Sequence, residues 1–168
     1  MLTILLNWLY ASVTIILLGF GVAALVEKVF SYRMKSGDGI LMAGMIAATV
    51  YAQFFSLVYK VGMLANVILI ILCILIYLWC KDNIKSTVQE WIKDTSAAQK
   101  VLLFALILVW SYFTSRGYIH YDSDLYHAQS IRWMEEYGIV PGLGNLHERF
   151  AYNSSFFALS ALYSLKFL

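Results

Sequence analysis

Charge is scarce in this chain. Only 13% of its 168 residues are Asp, Glu, Lys or Arg, against about 25% in a typical soluble domain. Apolar residues reach 61%, where about 45–50% is usual. That balance excludes an ordinary soluble domain and points to an integral membrane protein. The net charge of +2 is small and spread out, so there is no basic patch for nucleic acid. Cysteine is nearly missing. Cys73 and Cys80 are seven residues apart, which on a helix is about 10 Å along the axis. A disulfide needs Cα atoms within about 7 Å, so packing is the expected role. Proline occurs once, at Pro141, and lysine is absent from residues 116–155.

What is present is long apolar runs. Residues 1–26 carry no charged side chain, longer than the roughly 20 residues that a spanning helix needs. No Lys or Arg precedes Lys28, so the run reads as a retained helix and not as a cleaved signal. Gly19 and Gly21 within it suit close helix packing. Residues 40–59 form a second run and residues 63–79 a third, joined by the tight turn Lys60-Val61-Gly62 as an antiparallel hairpin. Gln53 and Asn66 fall roughly 10 Å deep on either side of that turn. A side-chain amide is costly in hydrocarbon without a partner, so both are expected to face the bundle interior, with each other as one candidate partner. Residues 81–100 are lysine-rich. Thr87 and Glu90 have capping-box spacing, which predicts a short interfacial helix with Val88, Trp91 and Ile92 on the membrane surface. Residues 101–114 are the fourth run, extended by Tyr112, Tyr118 and Tyr121 through the aromatic interface zone.

The expected fold is therefore all-α, a polytopic transmembrane helix bundle. Residues 1–115 give four full spans, 116–155 a long outer loop with an amphipathic interfacial helix, and 156–168 the start of a fifth span. A run that stops there suggests a piece of a longer chain, with further C-terminal transmembrane helices as its partners. Lys and Arg number seven in the loops 27–39 and 81–100, against four on the other side. By the positive-inside rule the first side is cytoplasmic and residues 116–155 face outward.

That outer stretch holds all three histidines (His120, His127, His147) and five of the ten acids (Asp122, Asp124, Glu135, Glu136, Glu148). A helix should start near Asp122 or Ser123, both good N-caps, and stop at Gly138. Leu125, Ala128, Ile131 and Met134 share one of its faces, with the charges mainly elsewhere. Asn145, His147, Glu148, Arg149 and Asn153 return the chain to the membrane, and Asn153-Ser154-Ser155 fits a glycosylation sequon.

An acidic cluster followed by an amphipathic helix in a long outer loop resembles the GT-C superfamily of membrane glycosyltransferases. Many of these place Asp-x-Tyr at a helix start in a large outer loop. Asp124-Leu125-Tyr126-His127 has that shape, and Asp122 precedes it. The step through Gly138, Pro141 and Gly142 is also similar. The run YDSDLYHAQSIRW further resembles large bacterial membrane proteins of unassigned function. In the usual GT-C plan the loop follows the first helix; here it follows the fourth. The resemblance covers some 35–40 residues. It implies a bacterial cytoplasmic membrane enzyme that takes a lipid-linked sugar donor from among the membrane lipid.

Such chemistry needs a base for the acceptor hydroxyl and cations for the leaving phosphate. Asp124 is the candidate base, with Asp122 as its partner. Arg149, Arg116, His147 and His127 are candidate phosphate contacts. No cofactor is certain; a divalent metal on Asp122 and Asp124 is the one considered. The bland alternatives are that both Asp side chains cap a helix, that His127 is packed, and that Arg132 and Glu136 form a surface pair. The rival function is a non-enzymatic membrane protein, a transporter or polysaccharide-export component, with the loop as gate or docking surface.

Overall fold

The computed structural model describes residues 1–34, 36–117, 120–152 and 154–167. Every regular element among them is helical. Four helices are long and apolar enough to cross a membrane: α1 (Leu2–Phe30), α2 (Gly37–Val58), α3 (Met63–Asp94) and α4 (Ala97–Ser115). A π-helical turn (Ser123–His127) leads into α5 (Ala128–Glu136). Two 3-10 turns (Leu143–Asn145 and Glu148–Tyr152) and α6 (Ser155–Tyr163) follow. Asn153 of the sequon, Tyr118 of the aromatic zone, Lys35 and Leu168 lie outside the described residues.

Small residues set the closest helix contact. Every fourth residue of α2 is buried: Ile40, Gly44, Ala48, Ala52 and Ser56. Without side chains at Gly19 and Gly44, the backbones of α1 and α2 approach until a Cβ on Gly44 would overlap the Ile15 carbonyl oxygen, and one on Gly19 that of Ile40. Dispersion and small-residue packing hold helices together where lipid is as apolar as leucine. Gly21 faces α3 instead, against Ile76.

The predicted interfacial helix at Thr87 does not exist as a separate element. No Gly or Pro interrupts residues 64–94, so α3 continues to Asp94, and Thr87 and Glu90 lie in its interior. The capping box forms at Ser96 and Gln99 and starts α4: Gln99 N donates to Ser96 Oγ at 3.3 Å, and Ser96 N to Gln99 Oε1 at 2.8 Å. Trp91 stacks on Phe20 of α1, ring centres 5.9 Å apart, so protein packing replaces the membrane-surface role expected of it. α4 buries little besides Ser111.

The hairpin of α2 and α3 is also looser than expected. Tyr51 Oη donates to the Ala65 carbonyl at 2.6 Å, but otherwise the two helices touch little. α6 occupies the space beside α2, burying Phe157, Ala158, Ala161 and Leu162. It has nine residues, and the helix ends before Ser164 and Leu165 (φ 50°), so no fifth span forms among the described residues. A helix end leaves carbonyls without partners. Here Asn66 Nδ2 donates to Leu162 O at 3.1 Å and Asn7 Nδ2 to Tyr163 O at 2.6 Å. Tyr10 Oη completes the cluster by donating to Asn66 Oδ1 at 2.7 Å. Asn66 thus faces the interior as its depth predicts, but its partners are α6 and Tyr10. Gln53 is not its partner: Gln53 Oε1 is buried with no hydrogen bond among the described residues.

A stability difference follows. Asn66→Leu strands a Leu162 carbonyl and a Tyr10 hydroxyl and should destabilise the protein by about 1–2 kcal/mol. Gln53→Leu removes a buried Oε1 that has no partner among the described residues and should be neutral or slightly stabilising. Thermal unfolding of both variants in one detergent measures the contrast; equal melting points would contradict it.

Candidate functional site

Residues 120–152 gather at the end of the bundle that carries the α2–α3 turn. Val61 N donates to Met134 O, and Ile139 N to Ser56 O, both near 2.9 Å (2.9 and 2.8 Å). α5 therefore rests on the turn and on α6. Gly138 ends it as predicted. Its φ is +80°, and a Cβ there would stand 2.7 Å from the Ser56 carbonyl oxygen, so any other residue meets both strain and backbone.

The helix start departs from expectation. A π turn precedes α5, and such turns frequently sit at functional sites. The extra residue per turn rotates the buried face. Ser130 and Met134 are buried while Ala128 is exposed, so the predicted stripe through Ala128 is shifted.

The helix already includes Tyr121 and Asp122, and Asp122 has right-handed helical backbone (φ −68°, ψ −23°), so its carboxylate is not placed to cap the helix as expected. Arg149 Nη1, 27 residues away, donates to Asp122 Oδ1 at 3.0 Å, with the two side chains 32% and 33% exposed. The guanidinium also lies over the Tyr126 ring, 5.5 Å from its centre. Arg149 N donates to His147 Nδ1 at 3.2 Å, which fixes the return segment beside the pair. His120 Nδ1 accepts from Asp122 N at 3.2 Å and lies 3.7 Å from Asp122 Oδ2.

Asp124 is exposed and has neither an ion-pair partner nor a hydrogen bond among the described residues. His127 packs between Tyr126 (4.3 Å) and Phe157 (5.4 Å), as a structural side chain does. His147 stacks on Phe150. Arg116 lies at the end of α4 over Tyr112 of its own helix, 5.8 Å from the ring centre, apart from the Asp122–Arg149 pair. Among the described residues no three His, Cys, Asp or Glu side chains converge as metal ligands. With Arg149 already on Asp122, the donor set does not fit a divalent ion. Arg132 and Glu136 do form the expected i,i+4 pair, joined by Lys166, whose Nζ donates to Glu136 Oε1 at 2.6 Å. The hydrogen bonds from Lys166 and Arg132 hold the Glu136 carboxyl below the usual carboxylate range. A lowered value means the tie is complete at neutral pH and is lost only as pH falls through it.

The Asp122–Arg149 pair is partly solvated, so its energetic worth is small. Asp122→Asn and Arg149→Gln should each cost under about 1 kcal/mol, and the double variant little more than either alone. A double-mutant cycle on thermal stability checks this; strict additivity would mean that the pair is not made in solution.

Sequence reading overlooked Tyr126 as the platform for Arg149, and Ser130, Trp133, Phe150 and Phe157 as the lining of a cavity beside it. The Asp-x-Tyr spacing was the available signal for Tyr126. Nothing local links Asp122 to Arg149. Comparison with curated proteins and with solved structures found no match. One family, described as a domain of unknown function (DUF8201), matches residues 1–168. The chain belongs to that family.

Proposed function

We propose that the chain is part of a membrane glycosyltransferase of the GT-C kind, which transfers a sugar from a polyprenyl-phosphate-type lipid at the outer face of the membrane. The observation that carries this reading is the division of labour between two neighbouring carboxylates. Asp122 is held by Arg149, and Asp124 is left exposed and unpaired among the described residues on the π turn. A carboxylate left free and a cation held on the same segment are the two groups that the reaction requires. Asp124 takes the proton of the acceptor hydroxyl as that oxygen attacks the anomeric carbon. The bond from that carbon to the donor phosphate breaks, and the phosphate leaves with the electron pair. Arg149 uses one N–H on Asp122, and a guanidinium has five, so the others can meet the departing phosphate.

Two further features support the reading. A groove of about 540 Å³ opens sideways between α1 and α3, lined by Leu6, Tyr10, Val67 and Ile70, and suits a hydrocarbon tail. A transporter should keep ionisable groups inside its spans. The buried polar side chains of α1 to α4 are Thr14, Ser56, Asn66 and Ser111, all neutral.

Membranes bearing the intact protein, incubated with radiolabelled polyprenyl-phosphate sugars, should release the polyprenyl phosphate and pass the label to an acceptor. Unchanged turnover in the Asp122→Asn, Asp124→Asn double variant would sink the assignment.

A further inference from the structure

Between α5, the return segment and α6 lies a cavity of about 280 Å³, close to the lower limit of ordinary small-ligand sites at about 300 Å³. Its walls include three aromatic rings, Trp133, Phe150 and Phe157, and it is edged by the backbone of Gly142 and Gly144. Among the described residues no charged side chain lines it. Ser130 also lines it. That residue is only 8% exposed, and its Oγ has no hydrogen-bond partner among the described residues. A buried hydroxyl left unpaired costs about 1–3 kcal/mol, so each such group calls for a partner. The cavity also shares Phe157 with the ring cluster of Tyr126 and His127, on which Arg149 rests.

We propose that this cavity holds a neutral monosaccharide ring, with the ring's C–H face on the aromatic walls and one of its hydroxyls paired with Ser130 Oγ. The lining selects for that chemistry. Aromatic faces favour C–H groups, the buried hydroxyl and peptide groups supply neutral hydrogen bonding, and the lack of charge disfavours an acidic or amino sugar. The proposal rests on the transfer reading for its choice of ligand and names where that reaction's sugar is held.

The test is saturation-transfer NMR on the intact protein in lipid nanodiscs, using methyl glycosides of neutral hexoses, with glucuronate and glucosamine as charged comparators. Neutral glycosides should receive saturation, and the charged ones much less. Ser130→Ala should weaken binding roughly threefold to tenfold, the loss of one hydrogen bond. Trp133→Ala should abolish it and Trp133→Phe should retain it, which separates loss of stacking from loss of fold. Equal binding of charged and neutral sugars, or no effect of Ser130→Ala, would overturn the proposal. If no glycoside binds but polyprenyl-phosphate turnover is intact, the cavity assignment fails while the transfer reading stands.

Discussion

Asp124→Asn should lower sugar transfer by about 10²–10⁴-fold, the usual worth of a positioned general base. Its folding should be unaffected. The side chain is exposed, and among the described residues it makes no ion pair or hydrogen bond that an amide of the same shape would break. Melting temperature and membrane insertion therefore serve as internal controls. Asp122→Asn should act differently. It removes the charge that holds Arg149 and leaves only a neutral amide acceptor, so a smaller loss of rate is expected together with a small loss of stability. Glu136→Gln, whose partners are Lys166 and Arg132, should leave the rate unchanged. A full transfer rate in the Asp124→Asn protein would remove Asp124 from the chemistry.

Gly44→Leu should yield no folded bundle. Overpacking a core commonly costs about 1–3 kcal/mol, because neighbouring side chains can shift. At Gly44 the obstacle is the backbone of α1, at the Ile15 carbonyl and the Gly19 amide, and a backbone inside a helix has nowhere to move. The helices must then separate along the whole stripe from Ile40 to Ser56, losing the tightest contact in the molecule. Loss of the monodisperse peak in size-exclusion chromatography is the expected result. Val50→Leu, on the exposed face of the same helix, is the matched control and should behave as the parent. If Gly44→Leu melts within a few degrees of the parent, α1 and α2 do not approach as described.

Helix signals of different reach explain what could be read from the chain in advance. The uncharged run to Val26 and the tight turn at Lys60 depend only on neighbouring residues, and both stand in the structure as predicted. Gly138 could be assigned as a stop because the left-handed backbone at that point excludes other residues locally. The same local logic failed at Thr87. A capping box is an option that a helix uses only where something ends the previous helix, and residues 64–94 contain no such break. The better box, Ser96 to Gln99, lay nine residues on. The stripe from Gly44 to Ser56 was legible in principle, as small residues at every fourth position, but it does not say which helix it meets.

The sequence by itself determined the all-helical class, the four apolar helices and the segment richest in polar and ionisable groups, because apolar runs and local capping are properties of short windows. Only the tertiary structure decided which of those groups meet. It joined Asp122 to Arg149 across 27 residues, set Tyr126 beneath the guanidinium, turned Ser130 into a cavity and closed the end of α6 with Asn66 and Asn7. Such pairings depend on how the π turn rotates α5 and on where α6 fits beside α2. Both are outcomes of packing between distant segments, which no local pattern encodes.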